Sequence, residues 1–218
     1  MENWEKTDSL RREQWRLSLE RQHKIEEIFH QAKAREWNRR TAFLIRVCGD
    51  DQQLIDDVEY WFRATTLAEL LAISPLEPSR FFEIACGVCV ELDFVHRCGT
   101  VHGDLNPANV LVFRSGIYRL LHFRTDASLD SGQDIRALGM VLREMLSTTT
   151  ASPELMRIVE KACHPDSTMR YNTVLGVFRD LSRLGDKLHK ASTRAPARKA
   201  FYRLLDFLHS FRTGAHNR

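Results

Sequence analysis

The sequence predicts an α+β fold whose larger part is mainly helical. Three observations carry that reading. Apolar residues recur with helical spacing over most of the 218 residues. Two pairs of short apolar runs, each joined by turn residues, read as strand pairs. Proline and glycine are confined, with no proline before Pro75 and only Gly49 before Gly87, so the first third of the chain carries few breakers.

In order along the chain, residues 5–37 are rich in Glu, Arg, Gln and Leu, and Trp15, Leu19, Ile25, Ile28, Phe29 and Ala32 recur near a 3.6-residue period. They predict one or two amphipathic helices. The runs Thr41–Val47 and Leu54–Phe62 flank Cys48, Gly49 and two aspartates, which predicts two strands joined by a turn. Ser74-Pro75 and Pro78-Ser79 introduce a helix over about 79–98, with Gly99 just past its end. Val110–Phe113 and Tyr118–Phe123, separated by Arg-Ser-Gly, predict a hairpin. Helices are expected again over 134–147, 153–163, 171–184 and 198–212.

Composition narrows the function classes. A 43% hydrophobic and 28% charged chain can bury a core and is not disordered as a whole. Its apolar runs fall well short of the ~18–20 residues of a membrane span, and Met1 opens a charged stretch, so an intracellular, cytoplasmic protein is expected. Five cysteines, an odd number, are expected to be reduced thiols. The net charge of +3 conceals a division: residues 185–218 hold eight Lys/Arg and two Asp/Glu, leaving −3 for residues 1–184. The body therefore gives no reason to expect a nucleic-acid partner, and no nucleic-acid-binding motif is present.

One segment carries chemistry. His102-Gly103-Asp104-Leu105-Asn106-Pro107-Ala108-Asn109-Val110-Leu111-Val112 lies between a helix and a strand. It resembles the catalytic loop of the protein kinase-like superfamily, and is also similar to that of aminoglycoside and choline kinases. The resemblance implies that Asp104 would accept the substrate hydroxyl proton and that Asn109 would be a metal ligand on the nucleotide phosphates. The flanks agree with it. Val58-Glu59-Tyr60-Trp61 looks like the end of the small lobe and its hinge, so Glu59, Tyr60 and Trp61 become candidate nucleotide contacts. Thr66–Leu71 looks like the first helix of the large lobe. Asp134-Ile135-Arg136-Ala137-Leu138-Gly139 resembles the D-x-x-x-x-G helix, whose aspartate anchors the catalytic loop, and Cys163–Tyr171 resembles the closing segment that carries Arg170. His102, Asp134 and Arg170 are thus expected to be structural.

The resemblance is that of a degenerate member. At the position of the D-F-G aspartate the chain has His122, followed by Phe123 and Arg124. Hard Mg²⁺ seeks oxygen ligands and a carboxylate to offset its charge, and an imidazole supplies neither. The glycine-poor first third has no phosphate-cradling loop, and its only lysines, Lys6, Lys24 and Lys33, lie in helical sequence. Eleven residues separate His122 from Asp134, too few for a peptide-binding activation segment. Residues 1–58 are therefore read as an N-terminal helix with a reduced small lobe, 59–184 as the kinase-like large lobe, and 185–218 as a basic linker and C-terminal amphipathic helix.

Each singled-out residue has a plain structural alternative. Asp104 and Asn109 could simply brace the loop. His122 is read as a satisfied, partly buried histidine, as a pH-sensitive switch or as part of an unusual metal site. Cys86-x-x-Cys89 and Cys98, with His96 and His102 nearby, lack the second pair a zinc site needs, so no metal is expected. The C-terminal helix would pack on the large lobe, bind a partner, or touch a membrane surface or nucleic acid. Three functions follow: a pseudokinase-type regulatory or scaffold protein with a protein partner, a minimal atypical ATP-dependent kinase, or a pure protein-interaction module. No resident cofactor is expected, Mg-ATP belonging to the enzyme reading alone.

Overall fold

The computed structural model describes residues 2–124, 130–146 and 152–191, with side chains from residue 16 to residue 188. Residues 185–191 of the expected basic linker are instead the end of a helix over Val174–Ala191, and the rest of it, with the helix expected over 198–212, falls at 192–218, outside the described residues. The chain forms two compact units, one reaching to Ala64 and including Arg97–Thr100, the other made of Thr65–His96 and the residues from Val101 onward.

The first unit is helical: α1 (Glu2–Lys33), α2 (Trp37–Cys48) and α3 (Gln52–Trp61). The expectation for α1 holds, and Ile25, Ile28, Phe29 and Ala32 form its buried stripe at i, i+3, i+4 and i+7. The Phe29 ring meets Trp61 and Phe62 at centroid distances of 5.8 and 4.8 Å, and Arg21 pairs with Asp57 at 2.9 Å, so α1 and α3 are tied at two levels.

The two strands expected over 41–47 and 54–62 are corrected: both segments are helices, and among the described residues the first unit contains no strand. The run Thr41–Val47 buries only Phe43 and Leu44, while Ile45 and Val47 are 58% and 42% exposed, so its apolar character is not that of a half-buried strand. In α3 the buried residues are Leu54, Ile55, Val58 and Trp61, a helical spacing. The break between the helices is chemical. Gly49 stops α2 at φ 60°, ψ −128°, a conformation open to glycine, and the Asp51 carboxylate caps α3 by accepting the Leu54 N–H at 2.9 Å.

Among the described residues, the second unit holds a three-stranded antiparallel sheet and five α-helices. Strands β1 (Thr65–Thr66), β2 (Val110–Val112) and β3 (Tyr118–Leu120) lie in that order, with Thr66 opposite Leu111 and Val112 opposite Tyr118. The expected hairpin is present, turning at Gly116, whose φ is 83°. Helix α4 (Leu67–Ile73) begins with a reciprocal cap: Thr66 Oγ1 accepts the Glu69 N–H at 3.1 Å, and Glu69 accepts the Thr66 N–H at 2.8 Å. Helix α5 (Pro78–Arg97) runs through the core and buries Phe81, Ile84, Ala85, Val88, Leu92 and Val95. Gly87 lets the Tyr118 ring of β3 lie directly on its backbone. Helices α6 (Ser131–Leu146), α7 (Pro153–Cys163) and α8 (Val174–Ala191) close the same core. A mostly helical chain with one small antiparallel sheet agrees with the α+β expectation.

Candidate functional site

The loop from His102 to Asn109 leaves the end of α5 and enters β2, and its form is set by three local devices. Asn106 stands before proline, and its Oδ1 accepts the N–H groups of Ala108 and Asn109 at 3.0 and 3.2 Å, capping a single 3₁₀ turn over Pro107–Asn109. Gly103 takes φ 76°, which a glycine adopts without cost. Asp104 is left exposed between two amides. Asn109 Nδ2 donates to the Asp104 carbonyl at 2.8 Å and to its Oδ2 at 3.2 Å, and Asn106 Nδ2 donates to the same carbonyl at 3.1 Å.

Beneath the loop lies a buried carboxylate. Asp134, in the first turn of α6, accepts the backbone N–H of His102 at 2.7 Å and of Gly103 at 2.8 Å, while His96 Nε2 lies 2.8 Å from its Oδ2. Burial alone would push the Asp134 carboxyl up, but His96 and the two N–H groups outweigh it and hold the group below its ordinary value. His102 is fully buried. Its Nδ1 accepts the Asp104 N–H at 3.2 Å, which leaves the proton on Nε2, and its ring lies 4.7 Å from Phe123. Burial pushes His102 down to about 4 against the raising influence of Asp134 and Asp104.

That shift has a pH consequence. The folded value near 4 lies below the unfolded 6.5, so between these limits the unfolded chain takes up a proton that the folded chain refuses. Stability should be intact above pH 6.5 and fall toward pH 4, by up to about 1.4 kcal/mol per pH unit from this group. Urea denaturation at stepped pH measures it, with His102→Gln as the comparison. Equal slopes for the two proteins would remove His102 as the cause.

Residues Leu121–Arg124 run alongside the loop and are pinned at both ends. The Leu121 N–H reaches the Asn109 carbonyl at 2.8 Å, and the Arg124 N–H reaches that of His102 at 2.9 Å. Between them His122 takes φ 61°, the one left-handed non-glycine residue among those described. Its side chain is exposed, which corrects the reading of a partly buried histidine.

The other candidates are spread more widely. Arg170 donates to the Gly132 carbonyl at 2.7 Å and the Pro165 carbonyl at 3.4 Å, fastening the segment after α7 to the start of α6. Glu59, Tyr60 and Trp61 occupy the last turn of α3, so the extended hinge expected there is corrected to helix. The extended residues at the sheet edge are Thr65 and Thr66. Cys86 and Cys89 belong to the apolar core, and burial pushes the Cys86 thiol up to about 12 and the Cys98 thiol up to about 11.

Two contributions escaped the sequence reading. His96 lies 38 residues from Asp134, and no local spacing announces that contact. The capping role of Asn106 did have a signal, an Asn-Pro pair ahead of a short turn.

The donor set does not fit a magnesium–nucleotide complex well. It offers one exposed carboxylate, already engaged by two amides, and an imidazole where a second carboxylate would be needed.

No protein-family model matches the chain. Part of it is similar to bacterial serine/threonine kinases. A probable serine/threonine-protein kinase of Streptomyces coelicolor is 35% identical over 80 residues, 36% of this chain and 12% of the relative. PknB of Bifidobacterium longum is 28% identical over 83 residues, 38% of this chain and 12% of the relative. Serine/threonine-protein kinase A of Synechocystis is 24% identical over 138 residues, 45% of this chain and 26% of the relative. The chain thus spans about an eighth of the length of the first two relatives and a quarter of the third, and its similarity to protein kinases is partial. Among the described residues, no helix is long and apolar enough to cross a membrane.

Proposed function

We propose that this chain is a pseudokinase-type regulatory or scaffold protein, a kinase-like large lobe kept as a binding framework without efficient phosphoryl transfer. One observation carries the reading. The loop is fully braced, by Asp134 from below and Asn109 from the side, while the residue that should bring metal to it is His122. The first unit strengthens the contrast, since α1, α2 and α3 supply neither a strand-borne lysine nor a glycine-rich loop over phosphates. A framework maintained at this cost in buried polar contacts, with its metal ligand replaced, suits recognition of a protein better than catalysis.

A minimal atypical kinase is the second reading. Its support is the exposed Asp104 carboxylate with the Asn109 amide 3.2 Å away, an arrangement able to orient a hydroxyl. The pure interaction module is a third, to which no separate feature of the described residues points.

The experiment is a thermal-shift titration with ATP and Mg²⁺ or Mn²⁺, followed by radiolabelled transfer to peptides and small hydroxyl compounds. The pseudokinase reading expects an unchanged melting temperature, no transfer, and no nucleotide binding regained by His122→Asp, because the first unit lacks the phosphate-binding parts as well. Metal-dependent stabilisation by ATP together with transfer abolished by Asp104→Ala would establish the enzyme instead.

A further inference from the structure

Gly132, Arg136, Gly139 and Arg143 fall at i, i+4, i+7 and i+11 along α6 and so form one stripe. Its two glycines admit the segment that follows α7. Arg170 donates to the Gly132 carbonyl at 2.7 Å, and a Cβ on Gly139 would lie 2.8 Å from the Cys163 sulfur. Residues 163–170 therefore run along the stripe from its middle to its first turn, and the side chains of Arg136 and Arg143 are exposed beside them. Burial pushes the Cys163 thiol up while Arg143 and Arg136 pull against it, so both guanidinium groups stand within electrostatic reach of that sulfur.

Three cations thus line one seam, and among the described residues Arg136, Arg143 and Arg170 make no ion pair. The carboxylates nearby are engaged elsewhere. Asp166 feels the Arg170 charge without pairing with it, and accepts the Thr168 N–H and hydroxyl, both at 2.8 Å. Asp130 accepts the Gly132 N–H. Glu144 lies about 100° further round the helix than Arg143. Arg170 is short of acceptors on one edge: Nη2 reaches the Pro165 carbonyl only at 3.4 Å, and Nε is shut from solvent with no partner. That Nε–Nη2 edge is the one a carboxylate takes with two parallel hydrogen bonds. Two methionines frame the cations. Met140, 49% exposed, lies one turn beyond Arg136, and Met169, 60% exposed, precedes Arg170. Their unbranched thioether side chains adapt to an apolar partner.

We propose that this seam of α6 and residues 163–170 docks an acidic segment of a partner protein. The partner's carboxylates meet Arg170, Arg136 and Arg143 over about 16 Å, and an apolar side chain among them covers Met140. Engagement of the Arg170 edge displaces the exposed Pro165–Met169 turn, which holds Nη2 by a long bond alone. Charge selects the occupant, because three unopposed arginines repel a basic segment or a second copy of the same seam and favour carboxylates. The inference goes beyond the reading of the 102–109 loop and stands independently of whether nucleotide binds.

Fluorescence polarisation on the full chain tests it. One labelled helical peptide of about three turns carries glutamates along a stripe with a leucine among them, and a second has glutamine in place of glutamate. The acidic peptide should bind, weaken as salt rises, and exceed the glutamine peptide at least ~10-fold in affinity. Arg136→Glu and Arg143→Glu should each cost at least ~10-fold, whereas Arg183→Glu, on the exposed side of α8, should change affinity less than ~2-fold. Circular dichroism checks that each variant folds, and Arg136→Gln or Arg143→Gln replaces one that does not. No binding of the acidic peptide at low salt overturns the proposal. So does an equal loss from Arg183→Glu, since net charge and not the seam would then attract the peptide. Binding untouched by the substitutions at 136 and 143 overturns it as well. A preference for anionic vesicles or DNA over the peptide, abolished by the same substitutions, overturns the assignment of a protein partner.

Discussion

Replacing Asp134 with alanine is expected to lower stability by roughly 3–5 kcal/mol, a large part of what a domain of this size has in total. The side chain is 1% exposed and serves three donors: the His102 N–H, the Gly103 N–H and His96 Nε2. Alanine removes the acceptor and leaves those groups facing a void in which water cannot make the same set of bonds. Each buried donor so orphaned costs about 1–3 kcal/mol. Asp134→Asn keeps one acceptor oxygen but turns an NH₂ group toward donors, so it should lie between alanine and wild type.

The acid limb supplies a second readout. The folded value of Asp134 lies below the ordinary 3.8, so its contribution is complete above that pH and is lost as pH falls through the lower folded value. The alanine variant should lack that part of the acid unfolding curve. Urea denaturation at neutral pH gives the main quantity, and a loss under about 1 kcal/mol would mean that the loop backbone does not depend on this carboxylate.

The same carboxylate shows where sequence is informative. Asp134 and Gly139 are spaced as in a known helix, and His102–Val112 is a contiguous motif, so the loop and its support were legible as a pattern before any coordinate was available. The hairpin over Val110–Leu120 was legible because its turn chemistry is local, and α5 and α7 were marked by proline at their starts. The first unit was not. Thr41–Val47 and Leu54–Phe62 are apolar, strand-favouring runs on either side of turn residues, and Val58–Trp61 in addition resembles a hinge. The physical signals there pointed the other way: Gly49 and Asp51 make a helix stop and a helix cap, and Leu54, Ile55, Val58 and Trp61 repeat with helical period. Packing of α2 and α3 with α1 then overrides the intrinsic preference of the β-branched residues. The exposure of His122 and its left-handed backbone could not be read from sequence at all, because both follow from the two hydrogen bonds that fasten its neighbours to the loop.

Gly139→Ala should cost about 2 kcal/mol, even though alanine favours a helix by about 1 kcal/mol over glycine. A methyl group at this position would lie 2.7 Å from the Cys163 nitrogen and 2.8 Å from the Ala162 carbonyl carbon. Those atoms belong to the backbone of α7, which cannot rotate aside as a side chain can, so α6 and α7 must separate. Separation loosens Leu138, Leu142, Val159 and Ala162, all fully buried, and tilts the helix whose first turn holds Asp134 under the loop. Gly132 in the same helix is the control. The three atoms nearest a methyl group there all belong to the flexible side chain of Asp130, which can turn aside as the α7 backbone cannot, so Gly132→Ala should cost clearly less. Urea midpoints for the two variants separate helix propensity from helix packing. If both shift equally, the close approach of α6 to α7 is not what Gly139 provides; if Gly139→Ala alone falls, the framework under the 102–109 loop depends on a contact that only a missing side chain permits.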